Sequence, residues 1–247
     1  LVKTREGRPI FIKGNELANS APNSRVIASV LSLYDSNRIK EPHKLGKTSS
    51  WDAVDSEIIQ KLREINGQIV LLTNSIISPT TIDIIQSFKK KYNVKHVQYD
   101  TISYDGMLNA NFNSFGVRAL PTYFLDKADV IVSFGADFLN SWLNVDFERE
   151  YVLNRKPKSG KMSRHFQIES NLSLSGSNAD VRIAAKTSEQ LFLIENLYNT
   201  LKGKASADKR ISQLVKELKS AKGRSLVISG SNNTNVQIMI NGINNLL

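Results

Sequence analysis

The stretch Ala128-Asp-Val-Ile-Val-Ser-Phe-Gly135 decides the fold class of this chain. It is a short run of apolar and β-branched residues, and a glycine ends it. A run of this length without polar alternation is typical of a strand that is covered on both faces, as in a parallel sheet. The stretch therefore predicts a central strand of an α/β domain.

Similar apolar runs occur before and after this stretch, and helical patterns separate them. Strands that alternate with helices favour a parallel sheet covered on both faces. We therefore predict that residues 47–247 form a doubly wound, mainly parallel Rossmann-like sheet with helices on both faces. Besides 128–135, the predicted strands are 68–73, 94–99, 164–170, 181–184 and 225–229. The predicted helices are 52–65, 79–92, 105–115, 141–154, 188–201, 207–221 and 235–246.

Residues 1–46 have a different pattern. Two short apolar segments flank Glu6-Gly7, which predicts a small β-hairpin that ends at Gly14-Asn15. The apolar residues 26–33 then predict a short helix, and Pro42 ends this part of the chain. We therefore predict a hairpin and connecting segment over residues 1–46, ahead of the sheet domain at 47–247.

The composition excludes several kinds of site. The 247 residues are 40% hydrophobic, which is enough to fill the core of one large domain or two small ones. Cysteine is absent, so these residues contain no disulfide, no thiolate nucleophile and no cysteine-bound metal cluster. The three histidines, His43, His96 and His165, lie in separate segments, which disfavours a histidine-based zinc site.

The chain is basic, with 33 Lys and Arg against 23 Asp and Glu and a net charge of +10. This charge favours an acidic partner such as nucleic acid, anionic lipid or an acidic protein surface. We expect no nucleic-acid binding, because no stacking aromatics or binding module accompany the charge. No apolar run approaches the roughly 20 residues that span a bilayer, so we expect no direct membrane insertion. Because the chain opens without Met, we expect it to be a fragment of a longer protein.

Small and polar residues follow several of the predicted strands. In a parallel sheet the carboxyl ends of the strands meet at one crevice, where the N–H groups of such turns can hold phosphate. No complete nucleotide-binding motif is present, and turn formation explains the same residues. Asp137 and Glu169 are also candidates for a carboxylate pair across the crevice. The candidate pocket residues are Thr73, Asn74, Gly135, Ala136, Asp137, Glu169, Ser170, Gly230, Ser231 and Asn232.

Several segments resemble a known family. Residues 7–15, 28–42 and 48–53 resemble, in order and spacing, the part of molybdopterin oxidoreductases that leads into their sheet domain. Residues 134–142 and 165–170 are similar to a subgroup of that superfamily. This subgroup is the molybdopterin-oxidoreductase-like domain in the iron-sulfur subunit of alternative complex III, a quinol-oxidising respiratory complex.

The resemblance implies a domain that has kept the fold and lost the cofactor. Catalytic relatives hold a bis-pterin guanine dinucleotide with molybdenum or tungsten, and their metal-ligand window corresponds to residues 101–113. Only Ser103 and Asp105 could serve as ligands there, and residues 168–170 and 186–189 replace two signature motifs. The resemblance therefore implies a cofactor-free scaffold that docks partners, while [4Fe-4S] or [3Fe-4S] clusters lie elsewhere in the parent chain.

The implied partners are other subunits of a membrane-bound respiratory complex, including haem-carrying and quinol-binding subunits. The implied location is the periplasmic side of a bacterial inner membrane. One alternative is a working molybdenum or tungsten oxidoreductase with Ser103 or Asp105 as the ligand. In that alternative, Gly135, Asp137, Ser170 and Gly230 would line the pterin site. A second alternative is a module that binds a small molecule or nucleotide.

Overall fold

The computed structural model describes all residues except 16, 18–20, 141, 145, 158, 159 and 161. The described residues form two compact units. The major unit comprises Leu1–Val30 and Tyr104–Leu247, and the minor unit comprises Leu31–Ser103. None of the described helices has the length and hydropathy needed to cross a bilayer.

The major unit contains a sheet of four parallel strands in the spatial order β10-β7-β8-β9. These strands are β7 Val130–Phe134, β8 Arg164–Glu169, β9 Val181–Ala184 and β10 Ser225–Ser229. Every residue of β7 is buried, as its apolar sequence predicts. The prediction of an α/β fold with a parallel sheet is therefore confirmed.

Helices cover both faces of this sheet. They are α4 Asp105–Phe115, α5 Phe147–Leu153, α6 Leu174–Ser177, α7 Thr187–Leu201, α8 Lys209–Ser220 and α9 Thr234–Leu246, with a 3-10 turn at Leu125–Lys127. On one face, α7, α8 and α9 pack against residues such as Val132, Phe134 and Phe166. On the other face, the core includes Ile131 and, from α5, Phe147. The predicted helix 141–154 is shorter in the structure, and residues 141 and 145 lie outside the described part.

The N-terminal residues form the predicted hairpin. Its strands are β1 Val2–Arg5 and β2 Arg8–Ile12, which pair in antiparallel fashion. Glu6 and Gly7 connect them with φ values of 51° and 77°, the left-handed conformation that suits a tight hairpin turn. A short helix, α1 Ser24–Ala28, follows, and a 3-10 turn at Ser29–Leu33 replaces the rest of the predicted helix.

The minor unit contains two small sheets and two helices. Its elements are β3 His43–Lys44, β4 Lys47–Thr48, α2 Trp51–Glu64, β5 Ile69–Thr73, α3 Pro79–Lys91 and β6 Val94–Gln98. Strands β5 and β6 pair in parallel as a two-stranded sheet. They were predicted to lie in one sheet with β7 to β10. That part of the prediction is wrong, because an apolar run predicts a strand without specifying which strand lies beside it. The division predicted between residues 46 and 47 stays a prediction.

Candidate functional site: the crevice at the strand ends

The crevice lies where the order of the sheet reverses. Strand β7 has β8 on one side and β10 on the other, and ligands of doubly wound proteins bind outside the carboxyl ends of strands at such a point. Gly230, after β10, donates its N–H to the carbonyl of Phe134 at 3.0 Å. A Cβ on Gly230 would lie 2.5 Å from the carbonyl oxygen of Gly135, so this approach requires glycine.

A cavity of about 530 Å³ opens at these strand ends. Five of the residues that line it were predicted from the sequence: Gly135, Glu169, Ser170, Gly230 and Ser231. The structure adds further polar lining residues, namely Asn171, Ser173, Thr187, Ser188, Gln190, Ser229 and Asn233. Several of the added residues lie at helix starts, and cap signals in the sequence were the clue that could have found them.

Three other predicted residues of the major unit have structural contacts instead. Ala136 is fully buried. The Oδ1 atom of Asp137 accepts a hydrogen bond from the N–H of Ser175 at 2.9 Å. The Oδ1 atom of Asn232 accepts one from the N–H of Gly106 at 2.8 Å and so holds the first turn of α4. These side chains fix the segments around the crevice.

The remaining predicted residues lie elsewhere. Thr73 and Asn74 belong to the minor unit, at the end of β5, where the Thr73 hydroxyl is 2.8 Å from Nε2 of His96. Ser103 is the last residue of the minor unit, whereas Asp105 begins α4 of the major unit and pairs with Arg118 at 2.8 Å. None of these four predicted residues lines the described crevice.

Glu169 is the only ionisable side chain among the described residues that line the cavity. It is 4% exposed and accepts hydrogen bonds from Nε of Arg182 at 2.7 Å and from Oγ of Ser173 at 2.5 Å. Burial raises the pKa of Glu169, but the hydrogen bonds from Ser173 and Arg182 outweigh burial and hold the pKa below its usual range. The carboxylate is therefore charged and anchors the loop after β8.

A row of buried polar side chains leads to Glu169 along β8. His165, Gln167 and Glu169 alternate along the strand and so share one face, and His165 and Gln167 are completely buried. Nδ1 of His165 lies 3.1 Å from the Tyr151 hydroxyl, and Nε2 lies 3.1 Å from Oε1 of Gln167. Nε2 of Gln167 donates to Glu169 at 3.2 Å. This row was not predicted from the sequence, although the spacing of polar residues by two along the strand was visible.

The contacts determine which group donates in each hydrogen bond of this row. Both acceptors near Nε2 of Gln167, the Glu169 carboxylate and the carbonyl of Ala136, require a donor, so Oε1 faces His165 and Nε2 of His165 carries a proton. Burial lowers the pKa of His165 to about 4, although the hydrogen bond with Gln167 opposes this shift. The imidazole is therefore neutral, and the Tyr151 hydroxyl, 3.1 Å from its Nδ1, donates to the carbonyl of Asn178 at 3.0 Å.

The crevice is thus a polar cavity with a fixed carboxylate. Its walls offer hydroxyl and amide groups, which bind polar ligands through hydrogen bonds. Among the described residues, no group of three or more His, Asp or Glu side chains is arranged to hold a metal ion.

Comparison with solved structures finds a chain of similar fold. It belongs to the formyltransferase/hydrolase complex (FhcABCD) from Methylorubrum extorquens, solved in complex with methylofuran, and matches with a TM-score of 0.52 and 14% sequence identity. The match covers 81% of this chain and 54% of that chain, so this chain spans about half the length of the matched one. No family model and no curated protein matches the sequence. At this identity the likeness shows a shared fold alone.

The expected resemblance to the molybdopterin oxidoreductase superfamily and to alternative complex III is wrong. No family model matches, and the similar structure belongs to a formyltransferase/hydrolase complex. The expected assignment to an iron-sulfur subunit of a respiratory complex, with haem-carrying and quinol-binding partners, is corrected with it. The residues that suggested the resemblance have local structural roles: Glu6-Gly7 turn the hairpin, Gly135 ends β7, and Ser50 caps α2 by accepting a hydrogen bond from the N–H of Ala53. Turns and caps favour the same residues in unrelated proteins.

The expectations about cofactor and location have no observation that tests them. The absence of a bound cofactor stays a prediction, and so does a periplasmic location, which depended on the resemblance alone.

Proposed function

We propose that this chain is a scaffold domain that docks partner proteins within a larger assembly. The sheet of the minor unit carries this proposal. Val70 and Leu72 of β5 are 60% and 65% exposed, although both lie in a parallel sheet. Parallel sheets are normally covered on both faces, so this apolar face suits a protein surface better than water.

The strand register continues this face on β6, where Lys95 is exposed and Val97 is half-buried. Val70 pairs with Lys95 and Leu72 pairs with Val97, so the four side chains share one face. Fully covering a valine or leucine side chain contributes about 1.5 to 3 kcal/mol. The lysine at the same face favours a partner that brings an acidic group to the edge of the contact.

The comparison with solved structures supports the same proposal. The structurally similar chain belongs to a protein complex, so this fold is compatible with a place in an assembly. At the crevice, the Glu169 carboxylate and the Asp137 carboxylate are bound to segments of the chain itself, which is consistent with a structural role for both.

The test isolates the tagged chain from the cells that make it and identifies partners by cross-linking at Lys95. We expect stoichiometric partners cross-linked to Lys95, and we expect Leu72→Asp to reduce their recovery by roughly tenfold or more, equivalent to about 1.4 kcal/mol or more. Ile77→Asp is the matched control, because Ile77 is 92% exposed in the same unit and lies outside the sheet. Partners retained by Leu72→Asp would contradict the proposal.

A second candidate function is binding of a small polar ligand in the crevice. The cavity of about 530 Å³ and its hydroxyl and amide lining favour it. A ligand that binds only the native state raises the melting temperature once its concentration exceeds its Kd. A panel of nucleotides and small carboxylates tests this candidate by thermal shift. Equal melting temperatures across the panel would remove it.

A further inference from the structure

A second cavity, which we call the edge groove, lies in the major unit beside β10. Its volume is about 570 Å³, and its walls come from the end of α4, residues 117 and 119–123, the start of β10 and the last turns of α9. The lining consists of apolar, aromatic, hydroxyl and amide side chains, and none of the described lining residues is an Asp, Glu, Lys, Arg or His. In a chain with a net charge of +10, the edge groove is an uncharged region.

The edge groove runs along the outer edge of β10. Gly230 donates to β7 through Phe134, and residues of a parallel strand face alternate sides, so Ser225, Val227 and Ser229 direct their backbone groups away from β7. Side-chain amides of α9 form hydrogen bonds with the backbone of two of these three residues. Asn244 accepts from the N–H of Val227 at 2.9 Å and donates to its carbonyl at 2.8 Å. Gln237 donates to the carbonyl of Ser229 at 2.9 Å.

Ser225 is the exception on this edge. Its side-chain Oγ is buried and has no hydrogen-bond partner. Within the described part of the chain, no side chain or loop pairs with its outward backbone groups, and Ser225 lines the edge groove. Ser225 therefore gives the groove an unpaired side-chain hydroxyl and one residue of strand edge whose outward N–H and C=O groups can pair with another chain.

Apolar side chains surround this open edge. Phe115, Val117 and Leu120 line the edge groove and are 62%, 58% and 44% exposed. Asn111 fixes this wall, because its Nδ2 donates to the carbonyl of Ala119 at 2.7 Å. The groove therefore combines backbone hydrogen-bonding groups with an apolar surface, the combination by which a sheet edge binds an extended peptide.

We propose that the edge groove binds an extended, uncharged segment of a partner protein. The segment would pair with the backbone of Ser225 as the Asn244 amide pairs with Val227, and it would place an apolar side chain against Phe115 and Leu120. A charged side chain would be desolvated there without a counter-charge in the described lining, so the site selects a neutral segment. This inference does not rest on the proposed function, because it concerns the major unit and a different surface.

The test uses a phage-displayed library of random seven-residue peptides as the probe. We expect the enriched peptides to have uncharged centres with apolar residues. Synthetic copies would bind the full chain, and we expect Phe115→Glu and Leu120→Glu each to weaken the Kd by roughly tenfold or more, or about 1.4 kcal/mol. Phe192→Glu is the matched control, because Phe192 is 69% exposed on α7 outside the edge groove, and it should leave the Kd unchanged. Bound peptide should also slow amide exchange at Ser225.

Three results would overturn this inference. One is a library with no enriched sequence. Another is enrichment of acidic peptides that bind Phe115→Glu as tightly as the unaltered chain, which would reflect the overall charge. The third is a peptide whose binding leaves exchange at Ser225 unchanged. Leu72→Asp separates this inference from the proposed function, because it should abolish docking at the minor unit and leave peptide binding intact.

Discussion

Strands β7 and β5 have similar sequences and different surroundings. Val-Ile-Val-Ser-Phe in β7 is buried at every position, whereas Ile-Val-Leu-Leu-Thr in β5 is half-buried on one face and exposed on the other. Strand β7 has a neighbour on each side and helices over both faces, but β5 has β6 alone. An apolar run therefore predicts a strand whose side chains are stable when buried. The neighbouring elements decide whether the same chain buries them.

Truncation of one buried and one exposed side chain gives the largest expected contrast. Ile131 of β7 is completely buried, so Ile131→Ala should lower the free energy of unfolding by about 2 to 5 kcal/mol. Leu72→Ala should change it by less than about 0.5 kcal/mol, because Leu72 has little cover to lose. Urea unfolding followed through Trp142, in a Trp51→Phe background, measures the change for Ile131→Ala in the major unit. Far-ultraviolet circular dichroism, which reports on both units, measures the change for Leu72→Ala in the minor unit. Equal losses for the two variants would contradict the comparison.

The buried polar row makes the major unit sensitive to pH. The unfolded imidazole of His165 takes up a proton below about pH 6.5, whereas the folded one does so only near 4. The free energy of unfolding should therefore lose nothing to His165 above pH 6.5. It should fall by roughly 3 kcal/mol as the pH approaches 4, because the unfolded state then binds more protons than the folded state. Glu169, whose pKa lies below its usual range, adds a loss at the acid end of this window.

Urea midpoints measured by Trp142 fluorescence between pH 7.5 and 4.5 test this dependence. His165→Gln should flatten the slope even though it lowers stability at neutral pH. An equally steep slope in His165→Gln would show that other groups cause the pH dependence.

Gly230, which follows β10, lies in crowded surroundings, whereas Gly67, which precedes β5, lies in open space. Gly230→Ala places a Cβ 2.5 Å from the carbonyl oxygen of Gly135, so the strand ends must move apart at a cost of about 1 to 3 kcal/mol. Gly67, shortly before β5, has nothing within 4 Å of such a Cβ. Gly67→Ala should therefore change the unfolding free energy by less than about 0.5 kcal/mol. The midpoint of thermal unfolding distinguishes the two, and a neutral Gly230→Ala would refute the close approach.

The smallest expected effect concerns the strand edges. Asn244→Ala removes both partners of the Val227 backbone and should cost about 1 kcal/mol, with faster amide exchange at Val227. Asn245→Ala is the control on the same helix, because Asn245 is exposed. Unchanged exchange at Val227 in Asn244→Ala would show that the side chain does not protect this edge.

Local signals account for the parts of the fold that the sequence predicted well. Helix α4 runs from Asp105 to Phe115 as expected, because Gly116 adopts the left-handed conformation that ends helices. Strand β10 also has the expected bounds, since apolar residues lie between Arg224 and Gly230. Short α6 was missed because four residues are too few for a periodic pattern, and because the bond from the N–H of Ser175 to Asp137 joins segments far apart in the sequence.

The candidate site was predicted only in part, because some of its residues have local signals in the sequence and others depend on tertiary packing. Gly135 and Gly230 were predicted because small residues after strands can hold phosphate. In the structure Gly135 has a positive φ and Gly230 makes a close backbone approach, which explains glycine at both positions. Thr73 and Asn74 were placed in the crevice on the assumption of a single sheet, and strand pairing is a long-range property. Gln190 was missed, since it reaches the crevice from α7, and only tertiary packing brings that helix to the strand ends.

The amide side chains of α9 also bear on the behaviour of the chain at high concentration. Open strand edges template pairing between copies and so begin aggregation. Asn244 and Gln237 hydrogen-bond to the outward backbone groups of Val227 and Ser229, so only Ser225 is open on this edge of β10. One residue is too short to start pairing between copies of the chain. Both strands of the β5–β6 sheet are edge strands and carry exposed Val70 and Leu72. Self-association of the purified chain should therefore begin at the minor unit, and solubility should rise when a partner is co-expressed.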